Sequence, residues 1–216
     1  MVNINKPRIL FIVPPVIYAR QPSIGIAYMC SFFKNKGYET KALDLNTDIT
    51  VPNDGDDLYW SQFDSHKKFF ETHRDLFDKW VEEILKYNPQ IIGFNIWNTS
   101  LYSSLRLATM IKMKDKNKFI VFGGFLCSVD GKGIIRYPQV DAVVCGEGEE
   151  AMLEIAENYA NNNGKAVPGC LLRKDGEVID GGPRAEIDNI DSLPFPDFSD
   201  FKFDKYVFKN YIPISF

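Results

Sequence analysis

The chain has 216 residues, 45% of them hydrophobic, enough to bury the core of one full domain and leave a tail. A net charge of −4 and a pI near 5.3 give no electrostatic footprint for nucleic acid or for an anionic membrane surface. The apolar run Ile9–Val13 is too short for a signal-peptide core and no stretch approaches a membrane span, so a cytoplasmic protein is expected.

A first strand is predicted over Arg8–Val13, short and apolar throughout, as strands buried on both faces are. In the helix that follows, Ile26, Met29, Cys30 and Phe33 fall at helical spacing, with Ser23 as its cap and Gly37 at its end. A second strand is read over Thr40–Asp44. Beyond it, Asp54, Asp56 and Asp57 lack the later glutamate of a calcium loop and read as a solvated acidic stretch. Trp60 and Phe63 either cover a ligand or, the preferred reading, anchor the next helix. That helix carries Phe69, His73, Leu76, Phe77, Trp80 and Ile84 as one stripe and ends before Pro89. Strands over Gln90–Asn95, Phe119–Phe122 and Ala142–Cys145 complete the set, with helical stripes at Leu101, Leu105, Ala108, Ile111 and at Met152, Ile155, Ala156, Tyr159.

This alternation predicts an α/β, flavodoxin-like doubly wound parallel five-stranded sheet with flanking helices over residues 1–168. Residues 169–216 read as a hairpin turning at Asp175-Gly176 and then an aromatic, proline-rich linker. The linker aromatics Phe195, Phe198, Phe201, Phe203, Tyr206 and Phe208 either fold back on the domain or, as preferred here, wait for a further domain.

Ligands on such folds bind beyond the carboxyl ends of the strands, so the loops there carry the functional signal. Pro14-Pro15-Val16-Ile17-Tyr18 is no dinucleotide fingerprint, and the first and third strands end without the acids of a phosphoacceptor site. No P-loop, nucleophile elbow or H-E-x-x-H pair is present. The cysteines Cys30, Cys127, Cys145 and Cys170 form no C-x-x-C pair and read as buried free thiols. What the loops hold is small and glycine-rich: Pro22-Ser23-Ile24-Gly25, Asn98-Thr99-Ser100, Gly123-Gly124 and Gly146-Glu147-Gly148-Glu149. Glycine admits close backbone approach and helix N-termini offer free N–H donors, a rim suited to a large ligand bearing amides and a phosphate.

The ordered set runs from Pro14-Pro15 and Pro22-Ser23-Ile24-Gly25-Ile26-Ala27-Tyr28 through Gly37-Tyr38 and Asp44-Leu45-Asn46. It continues with Gly123-Gly124, Val143-Val144-Cys145, Gly146-Glu147-Gly148-Glu149-Glu150 and Leu193-Pro194-Phe195-Pro196-Asp197. As a whole it resembles the amino-terminal, vitamin B12-binding domain of the cobalamin-binding radical S-adenosylmethionine protein family.

The resemblance implies a cobalamin whose corrin lies over the carboxyl edge of the sheet and whose nucleotide tail sits beside the fourth and fifth strands. By motif position, Gly123, Gly124 and Phe125 would line the tail cleft, and Asn98, Thr99 and Ser100 would meet the cofactor. The segment from Pro15 through Ser23 and Ile24 to Gly25 would follow the corrin edge, and Gly146, Glu147 and Gly148 would close the tail side through their backbone. The Asp-x-His-x-x-Gly motif of other cobalamin proteins is missing, and both histidines, His66 and His73, read as structural, so cobalt is expected without a histidine from this chain. The family's C-x-x-x-C-x-x-C triad is also missing. The [4Fe–4S] cluster, S-adenosylmethionine and catalysis, methyl transfer or related radical chemistry, are therefore expected in a downstream barrel of a longer enzyme, the one partner implied. Two alternatives remain: a cobalamin-free scaffold or substrate-recognition domain of such an enzyme, and a flavodoxin-like domain for flavin or another small ligand.

Overall fold

The computed structural model describes residues 6–15, 21–49 and 62–208. The acidic stretch, Trp60 and the last eight residues thus lie outside the described residues. Among the described residues, seven strands, β1 (Ile9–Val13), β2 (Thr40–Asp44), β3 (Ile91–Asn95), β4 (Phe119–Gly123), β5 (Ala142–Val144), β6 (Cys170–Lys174) and β7 (Glu177–Asp180), form one sheet in the order 2-1-3-4-5-6-7. Pairing is parallel from β2 through β5, the doubly wound order expected, and antiparallel at β6 and β7. The hairpin expected after residue 168 thus extends the sheet. Its turn has Asp175 and Gly176 both at positive φ (51° and 86°), as a tight turn matched to strand twist requires.

Among the described residues, six helices cover the two faces: α1 (Ile24–Asn35), α2 (Phe63–Thr72), α3 (Arg74–Tyr87), α4 (Leu101–Lys114), α5 (Phe125–Ile134) and α6 (Glu149–Asn161). Successive strand residues alternate between faces. Leu10, Ile12, Ile92, Phe94, Ile120 and Phe122 meet the layer of α2 to α5, while Ile9, Phe11, Ile91, Val121, Ala142 and Val144 meet α1 and α6. This double burial is why the strands read as unbroken apolar runs.

The expected single stripe from Phe69 to Ile84 is instead two helices. The chain breaks at His73 (φ −118°, ψ 31°), whose ring stacks on Phe69 at 4.4 Å and whose Nδ1 lies 3.0 Å from the Phe69 carbonyl oxygen. The break lets Phe70 and Phe77 pack edge to face at 4.9 Å. Helix α5 follows Gly123-Gly124 directly, in a stretch where no helical stripe was read from the sequence. Its glycines Gly131 and Gly133 and the non-helical Asp130 weaken its pattern, yet Cys127, Gly131 and Ile134 are buried.

The tail also departs from the preferred reading. Phe201 and Tyr206 are buried, with Phe198 and Phe203 packed beside them against the α1 side of the sheet, whereas Phe195 is 94% exposed and Phe208 half exposed. Apolar surface on α1 and β2 was available to cover, and the aromatics nearest to it cover it.

Trp80 is fully buried, packs on Phe77 at 5.0 Å and donates its indole N–H to Asp48 at 3.0 Å. Trp80→Ala is expected to cost about 3–5 kcal/mol, read as a lower urea midpoint with an unchanged slope.

Candidate functional site

With the order 2-1-3-4-5, the helices that follow β1 and β5 share one face, and α2 to α5 share the other. Two helices cannot cover that face fully, so the carboxyl ends of β3 and β4 are left open between α1 and α6. The opening is a cleft of about 170 Å³ at the point where the strand order reverses.

Glycine makes the space. Gly93 on β3 alternates with Ile92 and Phe94, which face the other layer, so it points into the cleft, where a Cβ would meet the Phe11 ring at 2.9 Å. On β4, Val121 lies beside it, and Gly123, paired with Asn95, continues the lining two residues further along. Gly25, in the first turn of α1, and Gly146 have nothing within 4 Å of a built Cβ, so a side chain at either would stand in open space at the cleft. Gly148 approaches the Met29 thioether, with a built Cβ 3.4 Å from Sδ. Phe11, Met29, Val121, Val144 and Met152 make the rest of the lining mostly apolar.

Among the described residues, two polar side chains line the cleft, Asn95 and Glu149. Asn95 Nδ2 donates to Ser23 Oγ at 3.3 Å, and Ser23 Oγ also accepts the Ile26 N–H at 3.4 Å as the α1 cap. Asn95 also packs against Gly124 (φ 95°), where a Cβ would lie 2.3 Å from its Oδ1, so only glycine fits that turn. Burial raises the Glu149 carboxyl above its ordinary value, with Glu147 and Glu150 adding to the rise, against N–H bonds from the backbone of Glu149 and Gly148.

Of the residues singled out in sequence, the cleft brings together Gly25, Gly123, Gly124, Gly146 and Gly148, with Ser23 one hydrogen bond behind Asn95. Pro15, Ile24, Asn98, Thr99, Ser100, Phe125 and Glu147 are not in its lining. Asn98–Ser100 is a short 3₁₀ turn in which buried Ser100 bonds back to Trp97, accepting its N–H at 2.9 Å and donating to its carbonyl at 3.1 Å. Phe125 stacks on Trp97 at 5.6 Å, both rings about half exposed. Glu147 is exposed and accepts the Ile187 N–H at 2.6 Å. Gly93 and Asn95 lie outside the loops singled out in sequence, while Glu149 stands in the Gly146-Glu147-Gly148-Glu149 run without having been named as a cofactor contact. A glycine inside an apolar strand was the available signal for Gly93.

Cys127, Cys145 and Cys170 line a separate groove of about 680 Å³ beside β5. All four thiols are free, and burial pushes those of Cys30 and Cys170 up to about 12 and that of Cys127 higher still. Among the described residues no group of three His, Cys, Asp or Glu is placed to hold a metal ion, and no helix is long and apolar enough to cross a membrane.

Against known proteins, the model of the B12 binding domain matches residues 15–156. An uncharacterized methyltransferase of Pyrococcus horikoshii is 26% identical over 209 residues, 92% of this chain and 40% of that protein. The anaerobic magnesium-protoporphyrin IX monomethyl ester cyclase of Rubrivivax gelatinosus is 27% identical over 150 residues, 64% of this chain and 25% of its own. Among solved structures, the cobalamin-dependent S-adenosylmethionine radical enzyme OxsB superposes with a TM-score of 0.69 at 15% identity, over 94% of this chain and 25% of OxsB. The radical S-adenosylmethionine methyltransferase TsrM of Kitasatospora setae, with cobalamin and a [4Fe–4S] cluster bound, gives 0.61 at 16% identity, over 88% of this chain and 31% of TsrM. At such identities the two structures speak to the fold alone, and the chain spans well under half the length of each relative. The family match runs from the end of β1 into α6, the stretch that builds the sheet and its glycine-lined cleft, and on that match the chain belongs to the B12 binding domain family.

Proposed function

We propose that this chain is the cobalamin-binding part of a longer cobalamin-dependent radical S-adenosylmethionine enzyme, with the nucleotide tail of the cofactor in the cleft and the corrin over the carboxyl edge of the sheet. The observation that carries the reading is the cleft itself: an apolar slot at the switch point whose glycines leave room for a flat heterocycle, with backbone N–H groups of α1 and α6 at its mouth. Gly93 and Gly123 form its floor, Gly25 and Gly148 its walls, and Asn95 and Glu149 offer hydrogen bonds to amide groups. Asn98–Ser100, Phe125, Pro15, Ser23 and Ile24 belong to the wider rim under the corrin. When bound, the cofactor supplies a cobalt centre able to carry a methyl group. The radical S-adenosylmethionine enzymes OxsB and TsrM, which share the fold, support a radical enzyme as the parent, and the methyltransferase among the relatives supports methyl transfer. The cluster and S-adenosylmethionine belong to a further domain, reached through the segment after β7.

Cobalt would receive no imidazole from this chain. His66 is buried in α2 and His73 sits at the α2–α3 break, in the layer on the sheet face opposite the cleft. Electron paramagnetic resonance of the cobalt(II) form is expected to show no strong coupling to a protein axial nitrogen.

Mixing the protein with hydroxocobalamin and removing free ligand is expected to leave corrin absorbance with the protein; a colourless protein would overturn the reading. Gly25→Leu should abolish retention while leaving the thermal midpoint unchanged or raised, because helix propensity improves by about 1 kcal/mol at that position and the side chain meets nothing but the cleft. Glu149 gives a pH signature. Its raised carboxyl adds stability fully present below the ordinary value of 4.5 and lost as pH rises through the higher folded value. Glu149→Gln is therefore expected to flatten the fall in urea midpoint as pH rises from 4.5 to 7.

A further inference from the structure

After β7 the chain does not leave the domain but crosses the outside of α6 and α1 to reach β2. Arg184 pairs with Glu150 at 3.3 Å and with Glu154, both on α6. Ile187 donates its N–H to Glu147 at 2.6 Å. Asp197 donates its N–H to the Ala27 carbonyl at 3.0 Å, and its carboxylate pairs with Lys34 at 2.7 Å, both on α1. Asp200 accepts the Ala42 N–H of β2 at 2.9 Å, and the Tyr206 hydroxyl donates to Asp44 at 2.7 Å, with the ring buried.

The segment is thus bonded in turn to both helices that wall the cleft. Those walls share the core beneath, where Ile26, Ala27 and Cys30 of α1 and Ala151, Met152 and Ile155 of α6 belong to one buried cluster, and at the cleft Met29 stands beside Gly148. Glu147 sits between Gly146 and Gly148, whose backbone lines the cleft, and its side chain points to the crossing segment instead. A glycine on either side gives that turn little rigidity of its own.

We propose that residues 184–206 are a strap that holds the two cleft walls at a fixed separation, with Glu147 as the positioning residue that registers the Gly146–Gly148 turn against it. The inference rests on the cobalamin reading of the cleft for its effect on affinity, but not for its mechanical part. Glu147 acts through its bond to Ile187 and touches no cofactor. Glutamine at 147 keeps an acceptor oxygen for that N–H; alanine keeps none.

The test compares Glu147→Ala, Glu147→Gln and Tyr206→Phe in the full 216-residue chain. Two quantities are read: the dissociation constant for hydroxocobalamin by absorbance titration, and ligand-free amide hydrogen exchange over residues 24–30 and 148–156. Glu147→Ala is expected to weaken binding about tenfold and to speed exchange in both segments, as loss of one charge-assisted bond implies. Glu147→Gln should stay within about twofold of the unaltered chain, and Tyr206→Phe, remote from the cleft, should weaken binding about fivefold. Unchanged exchange in Glu147→Ala overturns the strap, and if binding is weakened all the same, Glu147 touches the ligand directly. Faster exchange with unchanged affinity overturns the positioning role. Should the unaltered chain bind no corrinoid, the cofactor reading falls, while exchange alone still decides the strap.

Discussion

The structure depends on one mismatch of covering area. Five parallel strands bury side chains on both faces, but the connections that their order dictates send only α1 and α6 to one of them. An apolar strip over β3 and β4 would remain exposed there if those strands carried large side chains at the exposed positions. They carry Gly93 and Gly123 instead, so the uncovered strip is a recess and not a protruding hydrophobic ridge. The same glycines that remove a solubility problem make room for a ligand, and the family to which the chain belongs is defined by one.

The chemical character of the recess follows. Among the described residues that line it there is no thiol and one charged side chain, Glu149, and both histidines lie in the opposite layer. Such a surface holds and orients; it has no nucleophile poised for attack and no set of soft ligands. Reactivity in the proposed enzyme would come from the cofactor and from a further domain, while this chain contributes shape, hydrogen bonds and exclusion of water.

The parallel core was legible because double burial writes itself as unbroken runs such as Ile-Leu-Phe-Ile-Val at 9–13, and all five predicted strands begin or end at the observed residue. Less legible were features in which a tertiary contact outweighs local pattern. Helix α5 contains Gly131, which needs closeness to Cys145 more than helix propensity, and the break at His73 follows from aromatic packing that no periodicity encodes. In the site, glycines in loops stood out and five of them do line the cleft, but Gly93 and Asn95 lie inside a strand, where alternation had to be combined with the face of the sheet to find them. Asn98–Ser100 looked like a free polar loop, yet Ser100 spends its hydroxyl on Trp97. Phe201 and Tyr206 were read as waiting for a partner because their cover, α1 and β2, lies some 160 residues earlier in the chain, with the Tyr206–Asp44 bond spanning 162 residues.

The bond from Ala42 to Asp200 has a consequence beyond the domain itself. Strand β2 is the outer member of the parallel stack, and its free amides would otherwise offer a template on which the strand of a second molecule could grow. A carboxylate in that place accepts one amide, cannot propagate a ladder and brings a negative charge to the margin. At the other margin, β7 presents Glu177 and Asp180. A copy of this chain arriving at either side meets charge before it meets backbone, so the sheet is terminated by its own sequence and fibrillar stacking is discouraged at both ends.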